Sequence, residues 1–232
     1  MSKKIVGIIG GMGPMSTVNF MKHVIELTPA KTEQDNIRML VDNRPQIPDR
    51  TKAIIENGPS PVNHLIDSAK LLENAGADFI VMICNTVYFF ANQIQREISI
   101  PILSLPENLS EYINLNFPEK SEIILLATTG TIKTNLYSKH LRKLKILIPD
   151  SASQKDEIMD AIYGPNGIKS NHSVEYARNK LLRAIDKIRT DKTKAIIAGC
   201  TEISLALENY DLKIPILNPL KLLAKKVVEI AF

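Results

Sequence analysis

Two cysteines, the only ones in this 232-residue chain, stand in look-alike places. Cys84 ends the apolar run of MICNTVYFF (Met82–Phe90), and Cys200 ends that of AIIAGCTEISL (Ala195–Leu205). Asn85-Thr86 follows the first and Thr201-Glu202 the second, so hydrogen-bonding side chains appear where a helix is expected to begin. A cysteine ending a buried strand is ordinarily a small apolar core residue. Three features argue for chemistry instead. The end of a strand is the ligand-binding edge of an open α/β sheet. A helix start favours negative charge and therefore thiolate. And two thiols in matching places can serve one centre from two sides.

Other uses of paired thiols fit less well. Two cysteines are too few for a structural zinc site, and His23, His64, His140 and His172 have no ligand-like spacing near them. A redox C-x-x-C is absent. A single nucleophilic cysteine needs a base; no histidine neighbours either one in sequence, and a distant histidine folding back stays open. Proton transfer on both faces of one carbon fits best: one thiolate removes a proton, the opposite thiol donates one, and the centre inverts.

The glycine-rich stretch GIIGGMGP (Gly7–Pro14) invites a dinucleotide reading, but read from Gly11 and Gly13 the third glycine of G-x-G-x-x-G is replaced by Ser16. It reads better as a tight loop whose backbone N–H groups, ahead of a helix starting near Ser16-Thr17, suit a carboxylate or a phosphate.

Positioning these residues falls to alternating short apolar runs and amphipathic segments. Candidate strands are Ile5–Ile9, Ile37–Val41, Phe79–Ile83, Ile123–Ala127, Ile146–Ile148, Ala195–Ala198 and Ile214–Leu217. Helical three-and-four spacing marks Val62–Ala75 and Val174–Ile188 between them. Continuous Ile/Val runs separated by amphipathic helices indicate parallel sheets covered on both faces, hence the α/β class. The cysteines lie half the chain length apart, which predicts two similar parallel-sheet α/β domains facing each other across a cleft. Residues 1–103 plus 213–232 are expected to form the domain carrying Cys84, and residues 104–212 the domain carrying Cys200. IPIL occurs at both expected crossings, Ile100–Leu103 and Ile214–Leu217.

Composition sets the outer bounds. The hydrophobic fraction is 44% and the charged fraction 23%, ordinary for a globular chain. Net charge is +4, from 29 basic and 25 acidic residues, with no dense run; KHLRKLK (Lys139–Lys145) alternates with leucines as a solvated helix face does. Six tyrosines and six phenylalanines do not interleave with the basic residues, so nucleic acid is not an expected partner. No apolar stretch nears the about 18 residues of a membrane span. The N-terminus has two lysines before an apolar run, but four glycines and a proline break it, and a strand entering a loop is the better reading than a signal peptide. With no export signal and two cysteines, the expected compartment is the cytoplasm with reduced thiols.

Six motifs in order resemble the cofactor-independent aspartate/glutamate racemases, and most closely their aspartate branch. They are GGMGP (Gly10–Pro14) with Ser16-Thr17, DNRPQIPDR (Asp42–Arg50), CNT (Cys84–Thr86), LLATTGT (Leu125–Thr131), YGPNGIK (Tyr163–Lys169) and GCTE (Gly199–Glu202), spanning the chain essentially end to end. The resemblance implies a racemase acting on an acidic amino acid, aspartate first and glutamate second, without pyridoxal phosphate, other cofactor or metal. It implies Cys84 and Cys200 as the acid/base pair. Met12, Thr17, Asn85, Thr86, Thr128, Thr129, Gly130, Thr131, Thr201 and Glu202 are implied around the substrate. Arg50 and Lys169 are implied on its side-chain carboxylate. A homodimer is expected on the same ground. Read without the family, Arg50 closes a two-proline loop and can grip a carboxylate bidentately, while Lys169 follows a Gly-Pro-Asn-Gly turn and reads as a solvated loop charge. Two places depart from the family pattern. Val87-Tyr88 follows CNT where many relatives have a small residue and histidine, and Asn218 precedes Pro219 where many have aspartate. A one-cysteine isomerase of the maleate isomerase type and a non-catalytic dicarboxylate-binding protein are the alternatives.

Overall fold

The computed structural model describes residues 3–170, 173–208 and 210–232; His172 lies outside the described residues. The chain forms two compact units, Met1–Asn108 with Leu220–Phe232, and Leu109–Pro219. Each is built on a parallel sheet flanked by helices.

The first unit runs β1 (Val6–Gly10), α1 (Pro14–Leu27), β2 (Met39–Asn43), α2 (Arg50–Ile55), α3 (Val62–Asn74), β3 (Phe79–Met82), a 3₁₀ turn (Thr86–Phe90) and α4 (Ala91–Gln95). Its sheet order is β2-β1-β3, with Val6 opposite both Met39 and Phe79. β1 and β3 are buried along their whole length, as continuous apolar strands covered on two faces must be. α3 buries Leu65, Ser68, Ala69 and Leu72, one stripe at helical spacing. β2 begins two residues later than the apolar run Ile37–Val41 predicts, because the ladder starts where the Val6 N–H meets the Arg38 carbonyl. Ile37 is buried just ahead of the strand.

Helix α5 (Leu105–Asn116) carries the chain into the second unit. There follow β4 (Glu122–Leu126), α6 (Thr129–Lys133), β5 (Lys145–Leu147) and α7 (Ser151–Ser153), which continues through a π turn (Gln154–Met159) into α8 (Asp160–Tyr163). A 3₁₀ turn (Ile168–Ser170), α9 (Val174–Ile188), β6 (Thr193–Ala198), α10 (Thr201–Leu207) and β7 (Ile216–Leu217) complete it, and α11 (Pro219–Ala231) leads back. The sheet order is β5-β4-β6-β7. Its core sets Ile124, Leu126, Ile196 and Ala198 against Ala177, Leu181, Ala184 and Ile185 of α9.

The internal repeat extends to hydrogen bonds. Ile102 of the first IPIL bridges Ile80, whose N–H donates to the Pro101 carbonyl at 2.8 Å. Ile216 of the second pairs with Ile196, whose N–H donates to the Pro215 carbonyl at 3.0 Å. In both units the cysteine lies four residues beyond that isoleucine. Each IPIL therefore closes the edge of its own sheet beside the cysteine strand, and the units part within the helices that follow, at Asn108/Leu109 and Pro219/Leu220.

Candidate functional site

All strands are parallel, so within each unit the loops after the strands gather at the carboxyl edge. In the first unit this edge holds the glycine loop after β1, the segment leading to Arg50 after β2 and Cys84 after β3. Gly11 has φ +90°, and a Cβ there would lie 2.3 Å from the carbonyl carbon of Arg44, so only glycine fits. The Gly11 N–H donates to Thr17 Oγ1 at 3.0 Å, and that hydroxyl donates to the Gly13 carbonyl at 3.3 Å. Thr17 thus staples the loop, and the Gly11 amide points inward rather than toward a ligand. Met12 is buried in the loop. Helix α1 begins at Pro14, ahead of the expected start near Ser16-Thr17, because proline suits the first helical position.

Past β3, the Ile83 N–H still reaches the Ile9 carbonyl, and the Cys84 N–H turns back to the Met82 carbonyl at 3.0 Å. Cys84 is 7% exposed; Asn85 and Thr86 are buried beside it. The first turn after Cys84 is 3₁₀ and runs on into α4, so the α-helical start expected at both cysteines is not what directly follows Cys84. Tyr88 accepts the Met82 N–H on its hydroxyl at 3.2 Å, and burial pushes its phenol well up. The residue departing from the family pattern is a strut beneath the cysteine strand. α2 packs against the 3₁₀ turn and begins with Arg50, a buried guanidinium whose Nη1 donates to the carbonyls of Ile47 (3.2 Å) and Pro48 (3.0 Å). Asp49 caps this helix by accepting the Lys52 N–H at 2.9 Å. Two carbonyls of its own loop thus hold the Arg50 guanidinium in place.

In the second unit Cys200 occupies the N-cap position of α10, and its carbonyl accepts the Ser204 N–H at 3.1 Å. The thiol donates to Glu202 Oε2 at 3.0 Å, and the Thr201 hydroxyl donates to the same oxygen at 2.8 Å. Lys169 Nζ stands 3.0 Å from Glu202 Oε1 and 5.6 Å from the centre of the Tyr163 ring. Burial pushes the Glu202 carboxyl up, but the Lys169 ammonium and the hydrogen bonds from Cys200 and Thr201 outweigh it and hold the group below the ordinary carboxylate range. Lys169, which reads from its local sequence as a solvated loop charge, is four-fifths buried at its side chain. Its turn is anchored: the Gly164 N–H donates to the Asp160 carbonyl at 2.9 Å, and Asp160 meets Lys180 Nζ at 3.1 Å.

Thr128 to Thr131 lie at the end of β4, next to the β6 strand that carries Cys200. Thr128 caps α6, accepting the Thr131 N–H at 3.3 Å and donating to the Thr131 hydroxyl at 3.2 Å. Gly130 and Thr131 are buried, and the Thr129 N–H is directed at Met159 Sδ at 3.4 Å. Gly199 precedes Cys200 where a Cβ would come within 2.8 Å of Leu125 Cδ1 and 3.0 Å of the Leu126 carbonyl oxygen. Motif reading misses Gln154. Its amide donates to the Ala127 carbonyl at 2.9 Å and to the Thr129 hydroxyl at 3.3 Å, and its Oε1 is buried without a hydrogen-bond partner among the described residues. The nearest sequence signal is Asp150, the cap of α7, which marks the helix start but not where Gln154 points.

Cys84 and Cys200 are both buried and not joined in a disulfide. Among the described residues no group of three or more His, Cys, Asp or Glu side chains is placed to hold a metal ion, and no helix is long and apolar enough to cross a membrane.

Comparison with known proteins gives the family of the chain. The broad specificity amino-acid racemase RacX of Bacillus subtilis is 28% identical over 97% of both chains. The structure of Picrophilus torridus aspartate racemase superposes with a TM-score of 0.81 at 30% identity, covering 98% of this chain and 94% of that one. PH1733, an aspartate racemase homologue from Pyrococcus horikoshii, gives a TM-score of 0.73 at 27% identity over 99% of both. The Asp/Glu/Hydantoin racemase family model matches residues 9–227, from inside β1 into α11 and through both cysteine strands. On that match the chain belongs to the Asp/Glu/hydantoin racemase family.

Proposed function

We propose that this chain is an amino-acid racemase, an isomerase that interconverts the enantiomers of aspartate or glutamate, with Cys84 and Cys200 as its acid and base. Family membership supports the racemase activity itself. The observation that carries the finer reading is the matched placement of the thiols. Each lies just past the end of the strand that IPIL borders, four residues beyond the isoleucine that pairs with IPIL. The reaction asks one thiolate to take the α-proton and the other thiol to protonate the opposite face, and it draws on no cofactor. Charge developing at the α-carbon and carboxylate needs fixed donors; Asn85, Thr86, Thr128 to Thr131 and Thr201 are proposed to supply them. Arg50 and Lys169, both largely buried cations, support an acidic side chain as the preferred one. RacX is a broad specificity racemase and the Picrophilus protein an aspartate racemase, so aspartate and glutamate are both to be tested.

The test is incubation of reduced protein in heavy water with each enantiomer of aspartate and of glutamate, following optical rotation and the α-hydrogen signal together. Deuterium entry with loss of rotation is expected for at least one pair, abolished by Cys84→Ser and by Cys200→Ser. Racemisation that survives either substitution would sink the two-thiol mechanism. No exchange with any of the four would sink the acidic-substrate reading.

A further inference from the structure

Glu202 holds partners on both of its carboxylate oxygens at once. One carboxylate oxygen accepts from the thiol of Cys200 (3.0 Å) and the hydroxyl of Thr201 (2.8 Å); the other meets the ammonium of Lys169 (3.0 Å). Both charged side chains are largely out of water, with 4% of the Glu202 side chain and 20% of the Lys169 side chain exposed. A buried ion pair gives back much of its Coulomb energy as lost hydration, and a buried carboxylate that loses its counter-charge is costly to keep ionised and favours taking up a proton. A carboxylate gripped by an ammonium is also a poor proton acceptor, because taking a proton would abandon that ammonium.

We propose that an acidic substrate switches this contact: its side-chain carboxylate takes Lys169 from Glu202, and Glu202, so released, becomes the proton acceptor for Cys200. This rests on the racemase reading above. The Cys200 S–H proton passes to Glu202 Oε2, leaving a thiolate and a neutral carboxyl group. The thiolate takes the substrate α-proton and becomes a thiol again, while Cys84 gives its proton to the opposite face. Glu202 then loses its proton to solvent, and Cys84 regains one from solvent. The substrate's own negative charge thereby readies the group that activates the thiol. A neutral side chain would leave Lys169 on Glu202 and Cys200 without its acceptor, so charge selectivity enters through kcat as well as KM. Glu202 is a positioning and proton-accepting partner of Cys200, and Lys169 is the element that reads the side chain.

Succinate, a dicarboxylate with no α-amino group and no stereocentre, probes the switch without turnover. The protein is labelled with ¹³C at its glutamate side-chain carboxyls, and Glu202 is assigned by the signal missing in Glu202→Gln. Its titration is followed with and without saturating succinate, with calorimetry to establish binding. The Glu202 midpoint is expected to move to higher pH with succinate bound; no binding, or binding with an unmoved midpoint, overturns the switch. In parallel, Glu202→Gln is expected to lower kcat on the acidic substrate at least tenfold while KM stays equal or falls, since the competitor for Lys169 is gone. An unchanged kcat overturns the acceptor role. The two readings fail separately. No α-hydrogen exchange in the wild-type protein sinks the racemase and with it the acceptor role, whereas exchange with an unmoved Glu202 midpoint sinks the switch alone.

Discussion

A carboxylate stays ionised out of water only where hydrogen bonds and a counter-charge outweigh the hydration it gives up. Glu202 meets that condition through Lys169, Cys200 and Thr201, and its folded pKa lies below the ordinary value near 4.5. A carboxyl lowered on folding stabilises the folded state above its unfolded pKa, and that contribution is lost as pH falls through the folded value. The stability gap between wild-type protein and Glu202→Gln is therefore expected to shrink as pH drops below about 4.5. Urea unfolding of both proteins at several values between about pH 7 and about pH 3.5 checks this, and a gap that does not vary with pH counts against it. The same residue shows how far local sequence reaches. GCTE places Glu202 beside Cys200, but neighbours in sequence say nothing of Lys169, which arrives from a turn 33 positions earlier. Tyr88 makes the complementary point. As a departure from the family motif it reads as a lost imidazole, and in the fold its hydroxyl satisfies the Met82 N–H at the end of β3.

Among the elements, α9 is the most legible, running from Val174 to Ile188 as its periodicity predicts, with Ser173 capping it through the Tyr176 N–H. Ala177, Leu181, Ala184 and Ile185 form its buried stripe against β4 and β6. Leu181→Ala removes a fully buried side chain from the layer that backs the Cys200 strand and is expected to cost about 2–5 kcal/mol, read as a lower denaturation midpoint with an unchanged slope. A cost under about 1 kcal/mol would mean that the layer collapses around the gap. Less legible is the difference between the two segments after the cysteines. CNTVYFF folds as a 3₁₀ turn with Tyr88 and Phe90 buried, and CTEISLAL as an α-helix capped at Cys200. Hydrogen-bonding residues open both, so the distinction comes from where the following apolar side chains find cover. β2 is offset for a related reason: an edge strand has one hydrogen-bonded neighbour, and that neighbour, β1, sets where the ladder starts.

For the molecule as a whole, we propose from the family resemblance that two chains associate. Sedimentation equilibrium is expected to return twice the chain mass, and a single chain mass across the concentration range would reject it. Net charge of +4 without a basic run gives no reason to expect nucleic acid among the partners. The repeat is the strongest whole-molecule feature. Parallel sheets, cysteine strands and IPIL edges recur at the same relative positions in both units.

By itself the sequence determined the α/β class, the order of the strands, the helices α3 and α9, the repeat and the placing of each cysteine at a strand end. These follow from local apolar periodicity and from glycine and proline positions, which act over a few residues. Only the tertiary structure decided the registers, the edge role of IPIL, the inward turn of the Gly11 amide onto Thr17, the carbonyl clamp on Arg50, and the arrival of Gln154 at Ala127. The Lys169–Glu202–Cys200 contact belongs with them. Each of these pairs groups distant in sequence, or chooses one partner among several of equal local merit, and that choice is made by which buried polar groups must be satisfied once the core has closed.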